Sequence, residues 1–121
     1  MSKKRILIIE DSFTSFLLIT ETLKFEGYET LLAETVKEAI TTINKEPPDL
    51  IILDLNMPEV TGYDFLKMRK ELKIETIPII VISAMDSPLS IQQAKALGAS
   101  EFISKPVKLD MVIEKVKSLI R

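Results

Sequence analysis

The chain has 121 residues, 46% of them hydrophobic, which suffices for one domain over residues 1–121 with its own core. Its 16 basic and 18 acidic residues are mixed along the sequence, so we predict no direct contact with nucleic acid or with an anionic membrane. Cysteine and histidine are absent, which excludes disulfides, thiolate metal sites and histidine bases. No apolar run approaches the roughly 20 residues of a membrane span, and the absence of cysteine suits a reducing compartment, so we expect a cytoplasmic protein.

Short apolar runs alternate with longer amphipathic segments along the chain. The runs, which predict strands, cover residues 6–9, 28–33, 50–53, 79–82 and 101–103. Four polar residues stand where helices should begin and should cap them: Ser12, Thr35, Thr61 and Ser87. A fifth helix is predicted over 109–120, where the apolar residues show the most regular helical spacing in the chain.

Two helices are predicted in more detail. The first should run from the Ser12 cap to Gly27, whose tolerance of positive φ suits a position just past a helix end. Its apolar face should consist of Phe13, Phe16, Leu17, Thr20 and Leu23. The third helix should run from the Thr61 cap to about Leu72.

Five strand-helix units in succession are typical of a parallel sheet with helices on both faces. Crossovers in such sheets are right-handed, so the carboxyl ends of all five strands lie along one edge. That edge collects the polar residues at the ends of the first, third, fourth and fifth strands: Glu10, Asp11, Asp54, Ser83 and Lys105. Ligands of open α/β sheets bind at this edge, so these residues form the candidate site.

Glu10, Asp11 and Asp54 predict a cation site, because carboxylates at ~4 Å repel one another by about 4 kcal/mol per pair. With no histidine or cysteine available, the ligands are oxygens that select a hard ion. A site with few carboxylates, completed by water and phosphate oxygens, suits Mg²⁺ better than Ca²⁺.

Asp54 is the candidate nucleophile of this site. Its carboxylate is suited to accepting a phosphoryl group as an aspartyl phosphate, because suitable partners should lie beside it. These are a divalent cation, the ammonium of Lys105, the hydroxyl of Ser83 and the backbone N–H of Ala84. The same residues also fit a structural ion-pair cluster without chemistry, so both interpretations stay open at this point. The three glycines, at 27, 62 and 98, exclude a dinucleotide-binding fingerprint and a Walker P-loop.

The sequence resembles the receiver domain of two-component response regulators, in particular the single-domain, chemotaxis-regulator-like members of that family. The resemblance covers essentially the whole chain and rests on the pair Glu10-Asp11, the segment Asp54-Leu55-Asn56-Met57-Pro58 followed by Gly62, the pair Ser83-Ala84, and Lys105-Pro106. It implies a flavodoxin-like, doubly wound (βα)5 fold with strand order 2-1-3-4-5.

The resemblance also implies roles for the site residues. Asp54 would take a phosphoryl group from a histidine kinase or a histidine phosphotransfer protein. Mg²⁺ would be bound by Asp11, Asp54 and the main-chain carbonyl of Asn56, with Glu10 acting through metal-bound water. Lys105 would contact the phosphoryl group. The protein would promote its own phosphorylation and dephosphorylation without turning over a separate substrate.

A switch and an output surface are implied as well. Ser83 and Phe102 would move after phosphorylation, and a downstream protein would read the surface of the fourth helix, fifth strand and fifth helix. Phe102 lacks the hydroxyl of the tyrosine often found there, and Ser83 stands where threonine is commoner. We also hypothesise that Met85, which cannot hydrogen-bond an attacking water, favours a long-lived phosphoryl group.

Two other functions compete with this one. One is a receiver-like interaction module that is never phosphorylated. The other is a Mg²⁺-dependent phosphatase with Asp54 as nucleophile, although Asn56 stands where such enzymes carry an acidic general acid. The sequence specifies neither the kinase nor the downstream target, and it allows a monomer or a weak, phosphorylation-linked dimer.

Overall fold

In the computed structural model, which describes residues 3–56 and 61–120, strands and helices alternate along the chain. The strands are β1 (Arg5–Ile9), β2 (Glu29–Ala33), β3 (Leu50–Asp54), β4 (Ile79–Ser83) and β5 (Glu101–Ser104). The helices are α1 (Phe13–Phe25), α2 (Val36–Lys45), α3 (Gly62–Lys67), α4 (Pro88–Ala96) and α5 (Leu109–Ile120). None of the helices in these ranges is long and apolar enough to cross a membrane. Met57 and Pro58, which belong to the predicted motif, lie outside the described residues.

The five strands form one parallel sheet in the order β2-β1-β3-β4-β5, which confirms the predicted α/β fold and strand order. Its register aligns the carboxyl ends of the strands. Asp54 lies opposite Ile82 on β4, and Ser83 lies opposite Ser104 on β5. The side chains that follow these strands therefore meet along one edge, because all five strands run in the same direction.

Alternate residues of the strands pack on opposite faces of the sheet, because successive side chains of a strand point to opposite sides. The core on the side of α2, α3 and α4 takes Leu7, Ile9, Ile51, Leu53, Ile79 and Val81. The core on the side of α1 and α5 takes Ile6, Ile8, Leu50, Ile52, Ile80 and Ile82. All twelve side chains are at most 1% exposed, which explains why the central strands read as continuous apolar runs.

The inner face of α1 differs from the predicted one. Ser12 caps the helix as expected, its Oγ accepting the N–H of Ser15 at 3.4 Å. Phe13 and Leu17, however, are 61% and 40% exposed, and the buried residues are Ile19, Thr20 and Leu23. The prediction was wrong for Phe13 and Leu17 because α1 carries apolar residues on all sides, so spacing alone does not fix which side faces the sheet.

The α3 helix is shorter than predicted. It begins at the Thr61 cap, where Thr61 and Asp64 form a complete capping box, but it ends at Lys67 and not near Leu72. The following residues form tight turns, with the N–H of Met68 donating to the carbonyl of Phe65 at 3.0 Å. Lys73 then takes the left-handed conformation with φ of 59°, which ends any helical continuation.

Candidate functional site

Asp54 is the last residue of β3 and lies at the centre of the candidate site. Only 2% of its surface is exposed. Its Oδ1 accepts the backbone N–H of Asn56 at 3.0 Å, and its Oδ2 accepts Nζ–H of Lys105, also at 3.0 Å. Both carboxylate oxygens therefore have a donor, and the ammonium of Lys105 balances the charge of Asp54.

Lys105 reaches Asp54 from the connection that follows β5. Its side chain is 30% exposed, so the ion pair sits at the boundary between the buried sheet end and the solvent. Its N–H donates to the carbonyl of Ser83 at 3.0 Å, which fixes the start of this connection beside the end of β4. The following peptide bond, Lys105–Pro106, is cis.

Glu10 follows β1 and is buried, with 3% of its surface exposed. Its Oε1 accepts the backbone N–H of Ser12 at 3.1 Å, and its own N–H donates to the carbonyl of Ala33. Burial away from water and, second to it, the neighbouring charge of Asp54 together raise the pKa of Glu10 from 4.5 to about 7, while Lys105 opposes the rise. Near neutral pH the Glu10 carboxyl is thus poised to hold or release a proton.

Asp11 completes an acidic cluster with these two residues. Ligand oxygens of Glu10, Asp11 and Asp54 all lie within 4.8 Å of one another, close enough to share one cation. Asp11 is exposed whereas the other two are buried, so a cation would reach the cluster from the solvent side at Asp11. Three oxygen donors without nitrogen or sulfur match the preference of Mg²⁺.

Ser83 lies at the end of β4 and is 1% exposed. Its Oγ accepts the backbone N–H of Met85 at 3.0 Å, so the hydroxyl is engaged by the connection that leads to α4. Ala84 and Met85 are exposed, the latter by 54%, at the mouth of the site. The sheet thus brings Ser83 to the predicted edge, with the hydroxyl turned to the chain that follows it.

Phe102, the predicted switch aromatic, occupies the middle of β5 opposite Val81. It is half-buried and packs against the core on the side of α2, α3 and α4. This position agrees with a packing role and leaves part of the ring accessible on the α4 side of the sheet. Phe102 lies two residues before Ser104, which pairs with Ser83. It is therefore set back by two residues along β5 from the edge of the sheet that carries the site.

Gly62 brings α3 against the end of β3. Its N–H donates to the carbonyl of Leu55 at 3.1 Å. A Cβ at this position would lie 2.6 Å from Cα of Leu55 and 2.8 Å from the carbonyl oxygen of Asp54. Because those are backbone atoms that cannot move aside, glycine is required for α3 to start beside the candidate nucleophile.

The sequence missed one chemical property of the site, which is the proton affinity of Glu10. The paired acids at 10 and 11 signalled a cluster, but not that one of them is buried and the other exposed. Strand parity gave no signal, because both acids follow Ile9, the last residue of β1, and that strand is buried on both faces.

The parallel five-stranded sheet carries a buried aspartate, an acidic cluster and a lysine at its carboxyl edge, an arrangement suited to an α/β domain that handles a phosphoryl group. The chain belongs to the response regulator receiver domain family, whose model matches residues 6–117. It is 33% identical over 120 residues to sporulation initiation phosphotransferase F of Bacillus subtilis, a match that covers 99% of this chain and 96% of that protein.

Other relatives agree in length and fold. The polar-differentiation response regulator DivK of Brucella ovis is 29% identical over 118 residues, covering 97% of this chain and 96% of the relative. The crystal structure of the chemotaxis protein CheY4 of Vibrio cholerae superposes with a TM-score of 0.91 at 29% identity, covering 98% of this chain and all of that one.

Membership of this family makes the protein a phosphorylation-controlled signalling domain, with Asp54 in the position that is phosphorylated. Receiver domains act as signalling switches and not, in general, as metabolic enzymes. They bind Mg²⁺ at an acidic pocket, and here that pocket corresponds to the cluster of Glu10, Asp11 and Asp54. They interact with histidine kinases or phosphotransfer proteins and with downstream targets.

Proposed function

We propose that Asp54 accepts a phosphoryl group from the phosphohistidine of a histidine kinase or a histidine phosphotransfer protein, and that this chain acts as a Mg²⁺-dependent switch. The observation that carries the proposal is the setting of Asp54. It is a buried carboxylate with a lysine ammonium at 3.0 Å and two further carboxylates within 4.8 Å.

In the transfer step, a carboxylate oxygen of Asp54 forms a bond to phosphorus while the phosphorus–nitrogen bond to the donor histidine breaks. The electron pair of that bond stays on the imidazole, which leaves neutral after taking up a proton. Lys105 now donates to Oδ2 of Asp54, and it would donate to a phosphoryl oxygen once the charge moves outward. Positioning and charge neutralisation supply the catalysis, as in phosphoryl transfer generally.

Asp11, Asp54 and the main-chain carbonyl of Asn56 would hold Mg²⁺, and Glu10 would act through metal-bound water. When bound, the cation neutralises the negative charge that develops on the phosphoryl oxygens. Asn56 is exposed and follows β3, and its N–H donates to Oδ1 of Asp54 at 3.0 Å, which holds this residue beside the carboxylate. Glu10 would release its proton as the cation arrives, because both compete for the same carboxylate.

Ser83 and the backbone N–H of Ala84 would donate to the phosphoryl group. The Ser83 hydroxyl, which now accepts the N–H of Met85, would turn to donate its proton to a phosphoryl oxygen, and this turn would break the bond to Met85 and release the connection to α4. Phe102 would turn inward as that connection moves, and a downstream protein would read the changed surface of α4, β5 and α5. We expect a monomer, or a weak dimer linked to phosphorylation, and action in the cytoplasm.

Intact mass spectrometry tests the proposal. The protein is incubated with Mg²⁺ and acetyl phosphate, a small-molecule phosphoryl donor, and quenched rapidly. We expect one added phosphoryl group on the wild-type chain and on Asp86→Asn, which removes an exposed carboxylate from the same edge of the sheet. We expect none on Asp54→Ala, and none when a chelator removes Mg²⁺.

The failures have distinct meanings. A folded wild-type protein that gains no mass would support the interaction module without phosphorylation. A phosphoryl group that persists on Asp54→Ala would place the acceptor on another residue. Continuous release of phosphate from a phosphomonoester would instead support the phosphatase.

A further inference from the structure

The α4 helix is held very unequally at its two ends. Of its nine residues only Ala94, near the carboxyl end, is buried. The amino end rests on a local cap, in which Oγ of Ser87 accepts the N–H of Ser90 at 3.1 Å. That end is joined to Ser83 by the short exposed connection of residues 84–87. The packing that fixes α4 is therefore concentrated at its carboxyl end.

The carboxyl end of α4 is sealed by backbone hydrogen bonds. The N–H of Ala99 donates to the carbonyl of Ala94, and the N–H of Gly98 donates to the carbonyl of Lys95, both at 3.0 Å. Together with the φ of 112° at Gly98, these bonds form a Schellman motif. Ala94 and Ala99 are both buried in the same core, which ties this end of the helix to the sheet.

Arg69 adds a second tether from another part of the chain. Its Nη1 donates to the carbonyl of Leu97 at 3.4 Å, and its Nη2 donates to the carbonyl of Glu75 at 2.9 Å. The guanidinium lies directly against Gly98, where an added Cβ would come within 1.8 Å of Nη1. The cation thus sits at the negative end of the α4 dipole and links it to the connection before β4.

We propose that Arg69 is the anchor of α4: its guanidinium fixes the carboxyl end of the helix, so that rearrangement of residues 84–87 swings the amino end about that point. Arg69 is a positioning residue, since its guanidinium acts through the carbonyls of Leu97 and Glu75. The swing rests on the proposed phosphorylation of Asp54, whereas the anchoring does not.

Hydrogen exchange measured by mass spectrometry tests both parts on the full chain. In the unmodified protein, Arg69→Met should speed exchange of amides 97–99 about tenfold, the effect of losing one charge-assisted hydrogen bond. Lys70→Met, at an exposed neighbour, should leave these amides as in the wild type. Arg69→Lys should fall between, because an ammonium keeps the charge but not the two-pronged geometry.

In wild-type protein held phosphorylated by Mg²⁺ and excess acetyl phosphate, exchange should change at residues 84–90 and stay within about twofold of the unmodified value at 97–99. In phosphorylated Arg69→Met the change should extend to 97–99.

Unchanged exchange at 97–99 in unmodified Arg69→Met, with circular dichroism showing a folded protein, overturns the anchor. Equal changes at both ends of α4 in phosphorylated wild-type protein overturn the swing alone. A wild-type chain whose intact mass shows no phosphoryl group overturns the proposed function and the swing together, while the comparison of unmodified variants still decides the anchor.

Discussion

The proton held by Glu10 should make the metal-free protein less stable as the pH rises. The pKa of this carboxyl is 4.5 in the unfolded chain and about 7 in the folded one, because burial and the charge of Asp54 oppose its ionisation. A raised folded-state pKa gives a contribution that is fully present below pH 4.5 and is lost as the pH rises through 7. Glu10→Gln, which cannot ionise, should remove this dependence.

The size of the effect follows from the two pKa values. At ~1.36 kcal/mol per pKa unit, the rise from 4.5 to about 7 makes ionised Glu10 cost the folded state about 3 kcal/mol at pH 8. With a urea m value of about 1–3 kcal/mol/M, that cost lowers the unfolding midpoint by roughly 1–3 M. Saturating Mg²⁺ should offset much of it, since a ligand of the folded state stabilises by mass action.

The assay is urea unfolding at pH 5 and pH 8 in the presence of a chelator, for the wild type and Glu10→Gln. The variant should be more stable than the wild type at pH 8 and nearly equal to it at pH 5. Glu21→Gln, an exposed residue of α1, controls for the loss of one acidic group. A difference between Glu10→Gln and wild type that is the same at both pH values would refute the reasoning.

Three further predictions concern the same edge of the sheet. Lys105→Met should lower the metal-free stability by about 2 kcal/mol, because it strips Asp54 of its ion pair, and should slow phosphorylation in the mass assay. Gly62→Ala should cost about 2 kcal/mol in urea unfolding, because its Cβ would overlap the backbone at Leu55. Met85→Glu should shorten the lifetime of the phosphoryl group severalfold, because a carboxylate can orient an attacking water.

These predictions have matched controls and clear contrary results. Lys108 is an exposed lysine of the same connection, and Lys108→Met should change neither the stability nor the rate of phosphorylation. Equal effects of the two lysine variants would contradict a specific role for Lys105. A stable Gly62→Ala protein with wild-type phosphorylation would show that α3 does not need its close approach. Met85→Leu should match the wild type, and a Met85→Glu lifetime equal to it would eliminate the hypothesis about water access.

The strands and their common edge were predictable because burial on both faces leaves a plain signal. Runs such as Leu50–Leu53 contain only apolar residues, and the polar residue that ends each run marks where the sheet stops. Parallel connections then force those ends together, so Glu10, Asp11 and Asp54 had to be neighbours. The strand order itself came from family resemblance, since spacing alone does not distinguish possible orders.

The features that escaped prediction depend on tertiary packing. The inner face of α1 is chosen by its contacts with β2 and α5, and its apolar outer residues, Phe13 and Leu17, obscured that choice. The early end of α3 depends on turns that accommodate Arg69 and the left-handed Lys73. The raised pKa of Glu10 comes first from its burial and then from the charge of Asp54, 44 residues away in the chain, and the sequence states neither the burial nor the proximity.

Among the residues that the structure describes, the two cores separated by the sheet share no side chain, because alternate strand residues divide between them. Substitutions made in one layer therefore lie across a rigid backbone from substitutions in the other, and their effects on unfolding free energy should add within about 0.5 kcal/mol. Libraries that vary the α1 and α5 side and libraries that vary the α2, α3 and α4 side can then be selected separately and recombined. The two cores of this single small domain can thus be redesigned nearly independently of each other.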